Sequence, residues 1–231
     1  TISRHAMAID KVSNERVQTE WERLLGGPHW VSALRLAFDL GVGERTFGRL
    51  ADLGTVSAWS GFEATVAGLM PQDYRQLRLA ALLCGFGDAN FSMGERLIER
   101  RWPAALARRA TLICSWAMAA PGADDNQMVG WAIEDHEIAS LAACLVRALS
   151  ADDEQNAVAA LQLETYATRA AETPWIRGMD LISWGMKEGP VLGALLEQTA
   201  RGQVKRRWES CKEAHSWARA HVTDNLSEIG H

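Results

Sequence analysis

The sequence predicts an all-α chain, and three observations predict it. Valine and isoleucine are sparse while alanine and leucine dominate. No run alternates apolar and polar residues with period two for long. Apolar residues recur three and four apart, in stretches punctuated by proline and glycine. The chain has 231 residues, 48% hydrophobic and 23% charged. That is the balance of a folded soluble protein, with length for one large domain or two to three small ones.

Ser13 is placed as the N-cap of a first helix carrying Val17, Trp21, Leu24 and Leu25 in a stripe, and Gly26-Gly27 ends it. Pro28 opens a second helix, with Val31, Leu34, Leu36 and Phe38 facing inward and Gly41 as its stop. Residues 42–70 are the weakest stretch, broken by Gly43, Gly48, Gly54 and Gly61. Pro71 opens a helix through Leu77, Leu79, Leu82 and Leu83. Ser92 and Glu95 have the spacing of a capping box for a helix that stops near Trp102-Pro103. Helices over 104–119, 126–149 and 153–172 follow, and "PGADDN" makes the turn between the first two.

Pro174 marks the start of a C-terminal unit. Its stretch "GMDLISWGMKEGPVLGALL", residues 178–196, holds Gly178, Gly185, Gly189 and Gly193. Each glycine costs a helix about 1 kcal/mol against alanine, so the local arrangement must use them. Gly185 suits the left-handed position after a short helix 179–184. Gly189 lets the backbone turn, and Pro190 fits the first position of the next helix. Gly193, one turn in, leaves a bare patch beside that helix's N-terminal amides, which form an anion site. Ser210 and Glu213 cap a last helix.

The net charge of −5 hides an asymmetry. Residues 123–165 hold nine acids and one base, Arg147, for −8, which leaves +3 for the remainder. Bases gather at Arg96, Arg100, Arg101, Arg108 and Arg109, and at Lys205, Arg206 and Arg207. A locally basic face on an acidic protein can hold phosphate; an ordinary solvated helix surface reads the same way. No run approaches the roughly 18 apolar residues of a membrane span, and no secretory signal opens the chain. With threonine first and Met7 the first methionine, the chain reads as part of a longer protein. Cys84, Cys114, Cys144 and Cys211 are scattered without zinc spacing, so reduced core thiols and a cytoplasmic or organelle-matrix compartment are expected.

Three further signals bear on function. Gly41-x-Gly43 follows a helix rather than a strand and is no dinucleotide site. Glu134, Asp135, His136 and Glu137 diverge around a helix and cannot converge on one ion, so no metal site is assigned. Of ten tryptophans, Trp21, Trp116, Trp131 and Trp217 lie in apolar stripes and are expected in the core. Trp208, inside "KRRWES", stays open as a contact residue.

Two stretches together resemble one family. Val12, Ser13, Glu15, Arg16, Glu20, Leu24, Leu25, Pro28, Leu40 and Gly41 follow the neck pattern of bacterial-type (class II) tRNA nucleotidyltransferases, the CCA-adding enzymes and their poly(A) polymerase relatives. Gly178, Asp180, Leu181, Gly185, Gly189, Pro190, Gly193, Leu196 and Trp217 follow the family's tail pattern in order and spacing. About a third of the chain carries the likeness; residues 42–172 agree only in being helical. The resemblance implies an elongated helical array with a neck at 1–55, a body at 56–172 and a tail at 173–231. It implies a tRNA-binding portion that positions the 3′ end for nucleotide addition by a separate or missing head domain.

The family's head carries an Asp-x-Asp pair for two metals and a Glu-Asp-x-x-Arg template for CTP or ATP. This sequence has no Asp-x-Asp, and Glu134-Asp135 lacks the arginine. Phosphoryl transfer needs those metals, so no catalytic residue is assigned. Magnesium and CTP or ATP are expected at the head alone. The RNA-binding residues implied are Lys187, Gly189 and Gly193, with Lys205, Arg206 and Arg207 supplying charge nearby, and Arg96, Arg100 and Arg101. Glu15, Arg16 and Glu20 are expected as structural support, Arg16 pairing with Glu20 one turn on. The expected partners are tRNA and the head domain, with no membrane. The rival reading is a free-standing helical module that binds nucleic acid or protein through a helix-hairpin-helix-like turn at 185–193.

Overall fold

The computed structural model describes residues 6–48, 71–85, 90–149 and 153–229. Within the helices, the side chains of residues 7, 71–74, 90–93, 96, 149 and 224–229 also lie outside the description. Every regular element among the described residues is helical. A 3₁₀ turn, Ala6–Lys11, precedes α1 (Asn14–Gly26), α2 (Trp30–Asp39) and α3 (Val42–Phe47). Then come α4 (Pro71–Cys84), α5 (Asn90–Glu99), α6 (Ala104–Ala119), a 3₁₀ turn Ala120–Gly122, α7 (Asp125–Glu134) and α8 (His136–Leu149). The chain ends with α9 (Glu154–Ala170), α10 (Gly178–Ser183), α11 (Pro190–Val204) and α12 (Cys211–Ile229). No described helix is long and apolar enough to cross a membrane.

The chain divides into two compact units. Residues Thr1–Gly122 and Leu141–Leu161 form the first; Ala123–Ser140 and Gln162–His231 form the second.

In the first unit, Trp21 and Leu25 of α1 and Trp30 and Leu34 of α2 are buried. The Trp21 indole N–H donates to Thr46 Oγ1 at 3.2 Å, and its ring meets Phe47 edge-on at 4.7 Å. Leu36, expected inside, is 56% exposed. The inward stripe of α2 runs through Trp30 and Leu34, four apart, and a residue two beyond Leu34 turns to the opposite side. Ser13 stands at the N-cap of α1, but its side chain makes no capping bond. Ser92 lies inside α5, which begins at Asn90, so it does not open that helix as expected.

A buried arginine ties α4 to the end of α1. Arg78 donates from Nη1 to the carbonyls of Leu25 (2.5 Å) and Gly27 (3.0 Å) and lies over the Trp30 ring. It closes the C-terminal end of α1, where carbonyls lack helical partners and a cation is favoured. On α6, the small residues Ala107, Ala110, Cys114 and Ala117 are buried. Cys84 and Cys114 lie with sulfurs 3.1 Å apart. The hydrogen bond with Cys114, and then burial, hold the Cys84 thiol well above its ordinary range. Cys211, by contrast, is exposed rather than in the core.

The second unit corrects the expected helix 126–149. Asp135 leaves the helical region (φ −155°, ψ 97°), and its Oδ1 accepts the Ile138 N–H at 3.0 Å. The "EDHE" stretch is therefore a break with an N-cap, not one helix: Asp135 ends α7 and starts α8. The unit's core gathers Ile176, Leu181, Met186, Leu195, Trp208, Ala214, Ala218 and Val222. Trp208, left open above as a contact residue, is thus buried. Its charged neighbours do not decide where its own side chain points; Gly202 leaves the slot it fills. Trp21 and Trp116 are buried as expected, Trp217 is partly buried against the core, and Trp131 is half-buried.

Candidate nucleic-acid interface

The two ends of α11 are built by different means. Upstream, α10 ends in a Schellman arrangement: Met186 N–H donates to Leu181 O (3.1 Å) and Gly185 N–H to Ile182 O (2.9 Å). Gly185 takes φ +104°, which suits glycine. Leu181 and Met186 both enter the core, so the turn is tied down by burial as well. The chain then reaches Gly189, the N-cap of α11, at φ +154° with no side-chain cap, and Pro190 follows at the helix's first position. Gly193 N–H donates to Gly189 O at 3.2 Å. Ahead of it, Val191 and Leu192 amides have no intrahelical acceptor. A Cβ placed on Gly189 or Gly193 meets nothing within 4 Å. Lys187, Gly189, Pro190 and Gly193 are all exposed. This end of the helix is bare, open and donor-rich.

At the other end α11 closes with a second Schellman arrangement. Arg207 N–H donates to Gly202 O (2.8 Å) and Arg206 N–H to Gln203 O (3.0 Å). The left-handed residue here is Arg206, at φ +54°. A Cβ on Gly202 would overlap the Trp208 ring. The three basic residues are engaged within the protein. Lys205 Nζ donates to Asn126 Oδ1 at 2.6 Å. Arg206 pairs with Glu172 and stacks over Trp175. Arg207 stacks over Trp217 (5.0 Å) and Trp208 (5.9 Å).

The expectation that Lys205, Arg206 and Arg207 lie near Gly193 is corrected. Fifteen residues of unbroken α11 separate the two ends, about 20 Å at 1.5 Å per residue. Exposed charges that far apart exceed the Debye length of about 8 Å at physiological salt. Lys187 alone of the named bases belongs to the open end.

In the first unit, Arg100 and Arg101 sit where α5 stops. Arg101 is the left-handed residue of a third Schellman arrangement, at φ +66°, with Trp102 N–H donating to Leu97 O at 2.9 Å. Arg100 Nη2 reaches Arg45 O at 3.4 Å, and Arg101 lies 3.9 Å from Glu15 Oε1. Arg96 is on the same helix, its side chain outside the described residues. Glu20 pairs with Arg23 at 3.1 Å rather than with Arg16. An acid N-terminal to its base suits the helix dipole better than the reverse order. These exposed pairs contribute at most about 1 kcal/mol each. Arg16 and Glu20 instead flank a cavity of about 310 Å³ walled by Trp21, Leu24, Ala37 and Val42.

Among the described residues, no three His, Cys, Asp or Glu side chains come together as a metal site. Arg78, Gly202 and Gln203 escaped the reading of the sequence. Gln203 is buried and bonds both Thr173 O (3.1 Å) and Trp175 N–H (2.8 Å).

Residues 1–52 match a protein-family model described as "Probable RNA and SrmB- binding site of polymerase A". The N-terminal segment is therefore similar to an RNA-binding region of the poly(A) polymerase family. The match covers 52 of the 231 residues and includes α1, α2 and α3. No curated protein and no solved structure matches the chain.

Proposed function

We propose that this chain is the tRNA-binding portion of a CCA-adding tRNA nucleotidyltransferase, or of a poly(A) polymerase relative. It holds its RNA so that a catalytic head, on the same or another polypeptide, can extend the 3′ end. The observation that carries this is the match of residues 1–52 to the family's RNA-binding region. The open end of α11 supports it independently, because it offers amide donors and Lys187 without a side chain in the way. In this reading the neck (1–55), body (56–172) and tail (173–231) are all RNA-facing scaffolding. Magnesium and CTP or ATP belong to the head. The compartment is the cytoplasm or an organelle matrix.

The separation within α11 divides the tail's contacts in two. The N-terminal end takes one phosphate through backbone amides. The Lys205–Arg207 end adds charge elsewhere along the strand, with guanidinium planes already oriented by Trp175, Trp208 and Trp217. The test is competition between a tRNA minihelix and duplex DNA of equal length for the 231-residue chain. Preference for the minihelix, with a steep salt dependence, is the expected result. Equal affinity, or preference for DNA, would sink the reading in favour of a free-standing helix-hairpin-helix-like module.

A further inference from the structure

The second unit contains a cavity of about 440 Å³, within the size range of small-ligand sites. Its walls include Trp175, Ile176, Leu196 and Trp208, with Arg169 and Arg177 among the lining groups. The wall residue that stands out is Trp175, because its backbone is pinned on both sides. Its N–H is held by Gln203 Oε1 at 2.8 Å, and its carbonyl by His215 Nε2 at 2.8 Å. Arg206 stacks over its ring. Gln203 is itself buried and ties Thr173 O as well. Three side chains from α11, its C-terminal turn and α12 thus fix one partly exposed tryptophan at a cavity wall.

The charge around the cavity is lopsided. Glu172 is the one acid in the lining, and Arg206 pairs with it. Arg169 donates from Nη1 to Val204 O at 3.1 Å, and a guanidinium carries five donors. Arg177 is exposed. An apolar slot with a fixed indole and two arginines in its lining fits a flat ring joined to an anion. We propose that this cavity binds a nucleotide, the base lying against Trp175 and the phosphate meeting Arg169 and Arg177. Stacking of unpaired bases on aromatic and guanidinium planes is how single-stranded RNA is commonly read. The nucleotide can be an unpaired one within RNA or a free mononucleotide. The RNA source rests on the RNA-binding reading above; the free-nucleotide source does not.

The test uses the 231-residue chain labelled with 5-fluorotryptophan. The Trp175 resonance is assigned by its loss in Trp175→Phe. AMP, single-stranded oligoadenylate and a blunt, fully paired RNA duplex are titrated separately. The expected result is a shift of Trp175 with AMP or oligoadenylate, with Trp116 of the first unit unmoved and the duplex without effect on Trp175. A shift with AMP alone identifies a free nucleotide; a shift with oligoadenylate alone identifies RNA. Trp175→Leu keeps an apolar group and removes the stacking plane, so affinity for the shifting ligand should fall roughly ten-fold, within the range for one stacked base. If Trp175 stays still with both AMP and oligoadenylate, or the duplex moves it equally, the nucleotide site is overturned. That holds even where tRNA binds tightly elsewhere. Conversely, a Trp175 shift with AMP in a chain that fails to bind the tRNA minihelix leaves the site standing and removes the tRNA-binding reading.

Discussion

Gly193 and Gly202 occupy one helix, nine residues apart, and their surroundings are opposite. A side chain at Gly193 would project into open space; one at Gly202 would collide with Trp208. Both positions cost α11 the same intrinsic helix propensity, about 1 kcal/mol. At Gly202 the protein's own packing explains the cost, because the indole is buried in the space the missing Cβ leaves. At Gly193 no contact among the described residues explains it. Under the proposed function, an RNA phosphate uses that open space.

The largest expected effect tests the closed end. Gly202→Ala forces Trp208 off its position in a packed core, and should lower unfolding free energy by about 3 kcal/mol, the upper range for overpacking. Chemical denaturation measures it. Combining it with Trp208→Leu should remove most of the penalty that Gly202→Ala adds, since the two groups no longer compete for one space. Penalties that simply add would break the account of the closed end.

Next is Gln203→Ala. It leaves the Trp175 N–H and the Thr173 carbonyl without their partner. Two part-buried hydrogen bonds at about 1 kcal/mol each predict a loss near 2 kcal/mol. A variant as stable as the parent would show that the 173–175 segment is held by something other than Gln203.

How much of this was legible depended on the range of each interaction. Gly185, Gly189 and Pro190 act on their own backbone, so a single sequence displays them: one left-handed stop, one turn and one helix start, all within six residues. Gly202 and Trp208 act on each other across a helix end, and nothing in "ARGQVKRRWES" says which way the indole faces. The break at Asp135 was hidden because apolar residues continue at helical spacing on both sides of it. Arg78 was hidden for another reason: its acceptors are carbonyls more than fifty residues upstream, and carbonyls have no sequence signature. At the candidate interface the glycine turn is legible in the local sequence, whereas the distance from it to Lys205–Arg207 depends on α11 running unbroken over fifteen residues.

Gly189→Ala is expected to cost less than either change at the closed end. The space around Gly189 is empty, so the penalty is the backbone's alone. A φ of +154° is strained for any residue with a Cβ, by about 1 to 2 kcal/mol. Thermal unfolding should report that decrease with helical content unchanged. A loss as large as that of Gly202→Ala would mean the open end is packed after all.

The smallest stability effect belongs to Gly193→Gln, and it carries the most information. Gln has better helix propensity than Gly, and the position is exposed with no neighbour within 4 Å. Stability should therefore rise slightly, by about 0.5 kcal/mol. The same substitution puts a long side chain over the surface next to the Val191 and Leu192 amides, because side chains lean toward the helix N-terminus. If an RNA phosphate approaches there, tRNA affinity must fall although the protein has become more stable. Affinity and melting temperature measured on one preparation separate the outcomes. Higher stability with weaker binding places the RNA at the open end of α11. Higher stability with unchanged binding removes it from there and leaves Gly193 without a role in recognition. Lower stability would contradict the empty surroundings of Gly193, and with them the contrast between the two glycines.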